Sequence, residues 1–308
     1  MDAPSPPGAA APDEAAAVRI RRRRPLAFLL ALSALIASYA ILFTDFYHQS
    51  AAIENVFEAP AGGVKPPLNI YLEVLSVDPV KQSVQIRLDF AAKSEPGGLR
   101  HPGAPATDML VEISDGSDVQ DVELQAGQAG SSKTLQLYAR GALENYPVDR
   151  YNGTLRIRVV EGKKPAGAPA VPVRLTTWEE IAGWEVTTAR GDAAGPDADA
   201  GVSLTLRAQR PAAQVFFAFV LFAAMILLAV SALIISALVF LGVRRVEATL
   251  VSALGAMVFA VPALRNVLPG APPLGVRADA FVFLWVQLAV ILGLTLFVAT
   301  WARTSPRP

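Results

Sequence analysis

Residues 211–243 read PAAQVFFAFVLFAAMILLAVSALIISALVFLGV, an uncharged run framed by Arg210 on one side and by Arg244 and Arg245 on the other. As a helix it is about 50 Å long at ~1.5 Å per residue, which exceeds the ~30 Å hydrocarbon core of a bilayer. No turn signal interrupts its middle, so it reads as one transmembrane helix that tilts or projects beyond the bilayer. Three more stretches lack charge: Pro25 to Thr44, Ala248 to Leu264 and Ala280 to Ala302. Each is long enough, or nearly so, to cross. The chain is therefore predicted to be a bundle of four transmembrane helices carrying whatever folds between the first two.

Composition agrees with two materials in one chain. The sequence is 53% hydrophobic and 18% charged with a formal net charge of zero, which argues against a nucleic-acid binder. There is no cysteine, so disulfides, zinc thiolates and cysteine nucleophiles are excluded.

Arginines set the expected topology. Arg19 and Arg21 to Arg24 precede the first run, Arg244 and Arg245 separate the second from the third, and Arg303 and Arg307 follow the fourth. With four spans these clusters share one face, which the positive-inside rule assigns to the cytoplasm. Both termini are then cytoplasmic, and residues 45–210 are extracytoplasmic. The first run reads as a retained anchor because its apolar stretch continues through Ile41, Leu42 and Phe43, although Ser38-Tyr39-Ala40 also suits a signal-peptide cleavage site. Residues 1–24, rich in Ala and Pro, read as a disordered tail with a basic flank, and 45–66 as a linker.

From residue 67 the periodicity switches to two. Leu68, Ile70, Leu72 and Val74 alternate with polar neighbours, as do Val84, Ile86, Leu88 and Phe90, with a turn between them. Further strands are expected around Leu110 to Ile113, Val122 to Leu124, Leu135 to Tyr138, Leu155 to Val159, Val171 to Leu175, Trp184 to Thr188 and Val202 to Leu206. About 8 to 10 antiparallel strands over 67–210 imply an all-β extracytoplasmic sandwich. The transmembrane runs 211–243, 248–264 and 280–302 follow, with an outer loop at 265–279 and a short tail at 303–308.

No catalytic constellation emerges. His48 and His101 have no partners in a triad-like pattern, and no G-x-S-x-G surrounds a serine. Gly127 to Thr134 resembles a phosphate loop faintly, but no glycine adjoins Lys133 and a strand pattern follows, so it reads as a hairpin turn. Arg190-Gly191-Asp192 spells an adhesion tripeptide that short loops produce by chance. Asp192, Asp197 and Asp199 match no calcium-loop spacing and read as a solvated acidic loop. No catalytic, metal or cofactor residue is expected, and the protein is expected not to be an enzyme.

The segment Tyr146-Pro147-Val148-Asp149-Arg150-Tyr151 is more distinctive. A proline-stiffened turn with aromatic ends and central charges stands just before a strand. On its own it reads as a well-made turn whose charges satisfy local backbone and whose tyrosines pack on the sandwich.

Together with the N-terminal anchor, Gly183-Trp184-Glu185-Val186 and the segment from Pro262 to Pro273, this turn resembles the bacterial membrane-protein family filed as domain of unknown function 4436. The resemblance covers nearly the whole chain after the tail and implies no activity. More remotely, the order of features resembles the pentameric ligand-gated ion channels. In those channels a strand hairpin opens an outer sandwich, and an aromatic-Pro-x-Asp turn faces the membrane. A Trp-bearing strand follows, and the last strand ends in an arginine directly before a helix. That resemblance implies a coupling turn at Tyr146, Pro147, Asp149, Arg150 and Tyr151. It implies a sandwich–membrane junction at Arg210, Arg265 and Asp279, with Asp149 close to Arg210 and the turn resting over the 265–279 loop. This chain departs from the channels by having a helix before the sandwich, three after it and no disulfide.

By the same resemblance the third run would line a pore. Its Thr249, Ser252, Ala256 and Ala260 form a small, weakly polar stripe that suits either a water path or close helix packing, with Glu247 at the end as a charge ring opposed by Arg244 and Arg245. The spans otherwise lack Asp, Glu, Lys, Arg and His, which argues against proton-coupled transport. The expected function is binding, sensing or structural interaction through the sandwich, the alternative being a ligand-gated channel. The expected partners are the bilayer and, for a channel, further copies of the chain.

Overall fold

The computed structural model describes residues 29–30, 32–33, 36–40, 43–44, 54–59, 68–92, 105, 107–128, 132–162, 170–191 and 201–304. The chain divides into two compact units, Met1–Ala51 and Ala52–Pro308. In the first unit, every described residue between Leu29 and Thr44 is helical, and the hydroxyls of Ser33 and Thr44 donate to carbonyls four residues back, as an apolar helix favours.

The second unit begins with eleven strands: β1 (Glu54–Ala59), β2 (Leu68–Asp78), β3 (Ser83–Ala92), β4 (Met109–Ser114), β5 (Val119–Leu124), β6 (Ser132–Gly141), β7 (Arg150–Glu161), β8 (Val173–Trp178), β9 (Glu180–Ile181), β10 (Trp184–Arg190) and β11 (Val202–Gln209). One layer runs β1-β8-β2-β3-β6 and the other carries β4, β5, β7, β11, β10 and β9. β6 belongs to both, since its first part pairs with β3 while Ala139 to Gly141 pair with β7. The alternation seen in the sequence is the cause of the two layers. Ile70, Leu72 and Val74 lie opposite Phe90, Leu88 and Ile86 and are buried with them, while Tyr71 and Glu73 face away.

Three expectations are corrected. The linker reading at 45–66 fails at Glu54–Ala59, which forms an edge strand beside β8; a six-residue run with a glutamate at each flank is too short to show a period. The sandwich is not wholly antiparallel, because β2 and β8 run parallel. The turn after β5 is not a hairpin, because β5 pairs with β4 whereas β6 pairs with β3 and β7, so this connection passes between layers. Asp192, Asp197 and Asp199 of the expected acidic loop lie outside the described residues, as do His48 and His101.

Three helices follow: α1 (Ala212–Phe240), α2 (Ala248–Asn266) and α3 (Leu284–Thr304), the last entered through a π-helical turn at Asp279–Phe283. All three are apolar and long enough to cross a membrane. On α1 the buried positions Ala218, Phe222, Met225, Ala229, Ala232, Ser236 and Val239 alternate by four and three, the spacing of a helix seam. On α3, Val286, Val290, Gly293 and Phe297 answer them. Gly293 lets the backbones approach, since a Cβ there would stand 3.2 Å from both the Ala232 carbonyl oxygen and Ser236 Oγ.

α2 contains Pro262, whose missing N–H leaves the Val258 carbonyl without its helical donor. Gln287 of α3 supplies a replacement, its Nε2 donating to that oxygen at 3.2 Å. In an apolar medium an unpaired carbonyl is costly, so this hydrogen bond explains how the proline is tolerated and ties α2 to α3.

Candidate functional site at the junction of sandwich and helices

β11 ends at Gln209 and α1 starts at Ala212, so only Arg210 and Pro211 separate sheet from helix. Arg210 is buried with Asp149 at the point where the two hydrophobic cores meet. Its Nε donates to Asp149 Oδ1 at 2.6 Å and its Nη2 to Oδ2 at 3.2 Å, a bidentate pair with side-chain exposures of 2% and 0%. Tyr151 adds a third hydrogen bond, its hydroxyl donating to Asp149 Oδ2 at 3.0 Å. Two aromatic rings flank the guanidinium, that of Tyr146 at 4.8 Å and that of Trp184 at 4.7 Å, in cation–π geometry. A charge pair so far from water is kept only because its hydrogen bonds and these ring faces replace lost hydration.

The two tyrosines of the turn part company. Tyr151 belongs to the sandwich core and meets Trp184 edge-on at 5.6 Å between ring centroids. Tyr146 instead belongs to the helix core with Leu268 and Val276, and its hydroxyl donates to the Pro269 carbonyl at 2.9 Å. The reading in which both tyrosines pack on the sandwich is therefore corrected: the turn has one ring in each core. Burial pushes the Tyr146 hydroxyl up to about 12, against the opposing pull of Arg210. Tyr151 is raised further, by burial and then by the neighbouring Asp149 carboxylate. Both rings thus stay neutral donors through the physiological range. The Tyr146–Pro147 peptide bond is cis, and Arg150 and Val148 point outward.

The loop after α2 is closed by a second ion pair. Arg265 Nε donates to Asp279 Oδ1 at 3.1 Å and Nη2 to Oδ2 at 2.9 Å. The same Nη2 reaches the Pro273 carbonyl, and the Gly275 N–H donates to Asp279. This pair fixes the loop on which Tyr146 rests. Gly270, at the loop's tip, has φ +72, and any Cβ there would collide with Arg210 Nη1. The glycine is thus required twice, by its own backbone and by the arginine of the neighbouring region.

Asp149 does approach Arg210, and the turn does rest over the 265–279 loop. Arg265 and Asp279 support that loop without touching the central pair. Arg150 takes no part in the pair. Trp184 and Gly270 were visible only as members of longer segments. Their roles depend on which strand and which loop converge on Arg210.

The stripe on the third run lies elsewhere. Thr249, Ser252 and Ala256 are exposed and Ala260 is half-buried, because α2 packs on its neighbours through Leu254, Val261 and Arg265. Packing among the described residues therefore leaves Thr249, Ser252 and Ala256 uncovered. Glu247, Arg244 and Arg245 are exposed at its end. Among the described residues no group of His, Asp and Glu is placed to hold a metal ion.

Among curated proteins none matches the chain. Residues 59–206 match the family model described as domain of unknown function DUF4436. Residues 210–304 match a second one, DUF8686, also a domain of unknown function. The resemblance read over nearly the whole chain thus holds over residues 59–206, whereas the helices match a different family model from Arg210 onward. The sandwich and the three helices are thus similar to two separate domains of unknown function, the first match ending at Leu206 and the second beginning at Arg210.

Proposed function

We propose that this is a multi-pass membrane protein, without catalytic activity, whose extracytoplasmic sandwich binds or senses and passes its state to the membrane helices through Arg210. The observation that carries the reading is the buried Asp149–Arg210 pair, held between one aromatic ring from each core. Ion pairs are costly to bury, and one placed at the meeting of two regions makes the position of each depend on the other. The arginine clusters near residues 19–24, at 244–245 and at 303–307 support an orientation with both termini cytoplasmic.

The test is hydrogen exchange on the full chain in lipid nanodiscs, comparing wild type with Asp149→Asn. Coupling requires faster exchange both in β7 and β11 and in the 267–278 loop. Changes confined to the sandwich strands would refute it.

The ligand-gated channel remains the second reading, supported by the exposed Thr249, Ser252 and Ala256, which with the half-buried Ala260 form a stripe that suits a water path or a neighbouring helix. Because the chain has no cysteine, single cysteines at these four positions report cleanly on water access. Reaction with a charged thiol reagent at all four, in protein that runs as a ring-sized assembly, supports a pore. Protection in a monomer excludes one.

A further inference from the structure

One row of side chains crosses three strands on the solvent-facing side of the sheet beside α1. Glu185 of β10 lies opposite Gln209 of β11, and Gln209 lies opposite Arg150 of β7. With ~4.8 Å between strands, Glu185 and Arg150 stand about 10 Å apart at the backbone, and both are exposed. Gln209 Nε2 donates to Glu185 Oε2 at 3.0 Å and steadies it. Arg150 forms no ion pair among the described residues.

A hollow of about 420 Å³ joins this row to the start of α1, where Phe216 and Phe219 line it opposite Val148. These three apolar side chains are exposed. Asp149 and Arg210 also border the hollow, but their charges are satisfied by each other.

The depth of the hollow in a bilayer follows from helix length. α1 spans 29 residues, about 44 Å, against ~30 Å of hydrocarbon, so its sandwich-side turns stand at the level of lipid headgroups. Aromatic side chains are favoured there. Two phenylalanines and a valine at headgroup depth suit the start of an acyl chain, whereas a bare acyl chain would leave the charged row unused. A molecule with a phosphate, an amine a few ångströms away and an apolar tail fits every part.

We propose that this hollow binds one bilayer phospholipid with an aminoalkyl headgroup. Its phosphate sits on Arg150, its ammonium on Glu185 and the start of its acyl chains against Val148, Phe216 and Phe219. The site rests on the membrane reading of the helices and not on the coupling or channel readings.

The experiment is native mass spectrometry of the delipidated full chain titrated with palmitoyl-oleoyl phosphatidylethanolamine or, separately, phosphatidylglycerol. The wild type should hold the ethanolamine lipid at lower concentration than the glycerol lipid. Arg150→Gln should weaken both about tenfold through loss of a charge-assisted contact. Glu185→Gln should erase the preference while leaving the glycerol lipid unaffected. Equal retention by wild type and Arg150→Gln, or no headgroup preference in the wild type, overturns the site. Failure of the same protein to enter nanodiscs overturns the membrane reading beneath it.

Discussion

The sandwich and the helices answer opposite solvents with similar side chains. In the sandwich, Leu68, Ile70, Leu72, Ile86 and Leu88 are at most 1% exposed, each shielded by the facing layer. In the helices a narrow seam is buried, while Phe219, Leu227, Ile234, Phe259, Phe281 and Trp285 stand open. A water-soluble protein rarely leaves so much contiguous apolar surface uncovered. The sandwich thus supplies its own apolar environment, whereas the helices, apolar and long enough to cross a membrane, would on the proposed reading take theirs from lipid, where apolar burial between helices yields little and packing with paired polar groups yields more. That is why the sandwich relies on large aliphatic residues and the α1–α3 seam on Ala232, Ser236 and Gly293. Arg210 stands where these regimes meet.

The largest effect is expected at that meeting point. Arg210→Ala leaves Asp149 buried without its cation and should cost ~3–5 kcal/mol, whereas replacing both partners with Arg210→Met and Asp149→Leu should recover much of the loss. Denaturant unfolding followed by the circular dichroism of the strands checks both. A double variant as unstable as the single would show that the pair cannot be replaced by apolar packing. Gly270→Val should follow at ~1–3 kcal/mol, from backbone strain at positive φ and displacement of Arg210. Gly275, at φ +101 with nothing within 4 Å of its would-be Cβ, is the control, since Gly275→Ala carries only the backbone part. Gln287→Leu strips the donor from the Val258 carbonyl and should cost about 0.6–1.7 kcal/mol. Its thermal unfolding in detergent should shift while hydrogen exchange in the sandwich does not.

Titration separates the regions most gently. Tyr146 is neutral in the fold up to about 12 rather than 10.0. Its contribution is complete below pH 10 and is lost as pH rises toward 12. Tyr146→Phe should flatten that alkaline loss. Burial pushes the carboxyl of Asp115, at the β4–β5 turn, up, but hydrogen bonds from Asp118, Ser117 and Tyr138 together outweigh it and hold it at about 2 rather than 3.8. Its contribution is complete above pH 3.8 and is lost as pH falls toward 2, so Asp115→Asn should flatten the acid side. The junction is then alkali-sensitive and the far turn acid-sensitive, which unfolding midpoints across pH can distinguish.

Much of this was legible because it rests on period and charge. Alternation over Leu68 to Phe90 announces a half-buried hairpin, and the run from Ala212 announces a span, without knowledge of neighbours. Glu54–Ala59 was illegible because it becomes a strand only beside β8. The parallel pairing of β2 with β8 was hidden for the same reason, being a property of order in space. Asp149 and Arg210 were brought together by resemblance and not by spacing, since 61 positions separate them. Tyr146 and Tyr151 look equivalent in the chain, and only the direction of β7 places them in different cores. Pro262 and Gln287 gave no joint signal because a donor for a freed carbonyl can come from any adjacent helix.

The two-residue connection through Arg210 and Pro211 makes β11 and α1 a lever with almost no slack. Pro211 has a ring-fixed backbone, and the Arg210 side chain is pinned by three neighbours. A change of about 5° in the tilt of β11 would swing the far end of α1, about 44 Å away, by about 4 Å. That displacement equals the rise of about two and a half helical residues. On the proposed coupling, small rearrangements in the sandwich would need no further amplification to be felt beside Arg244 and Arg245.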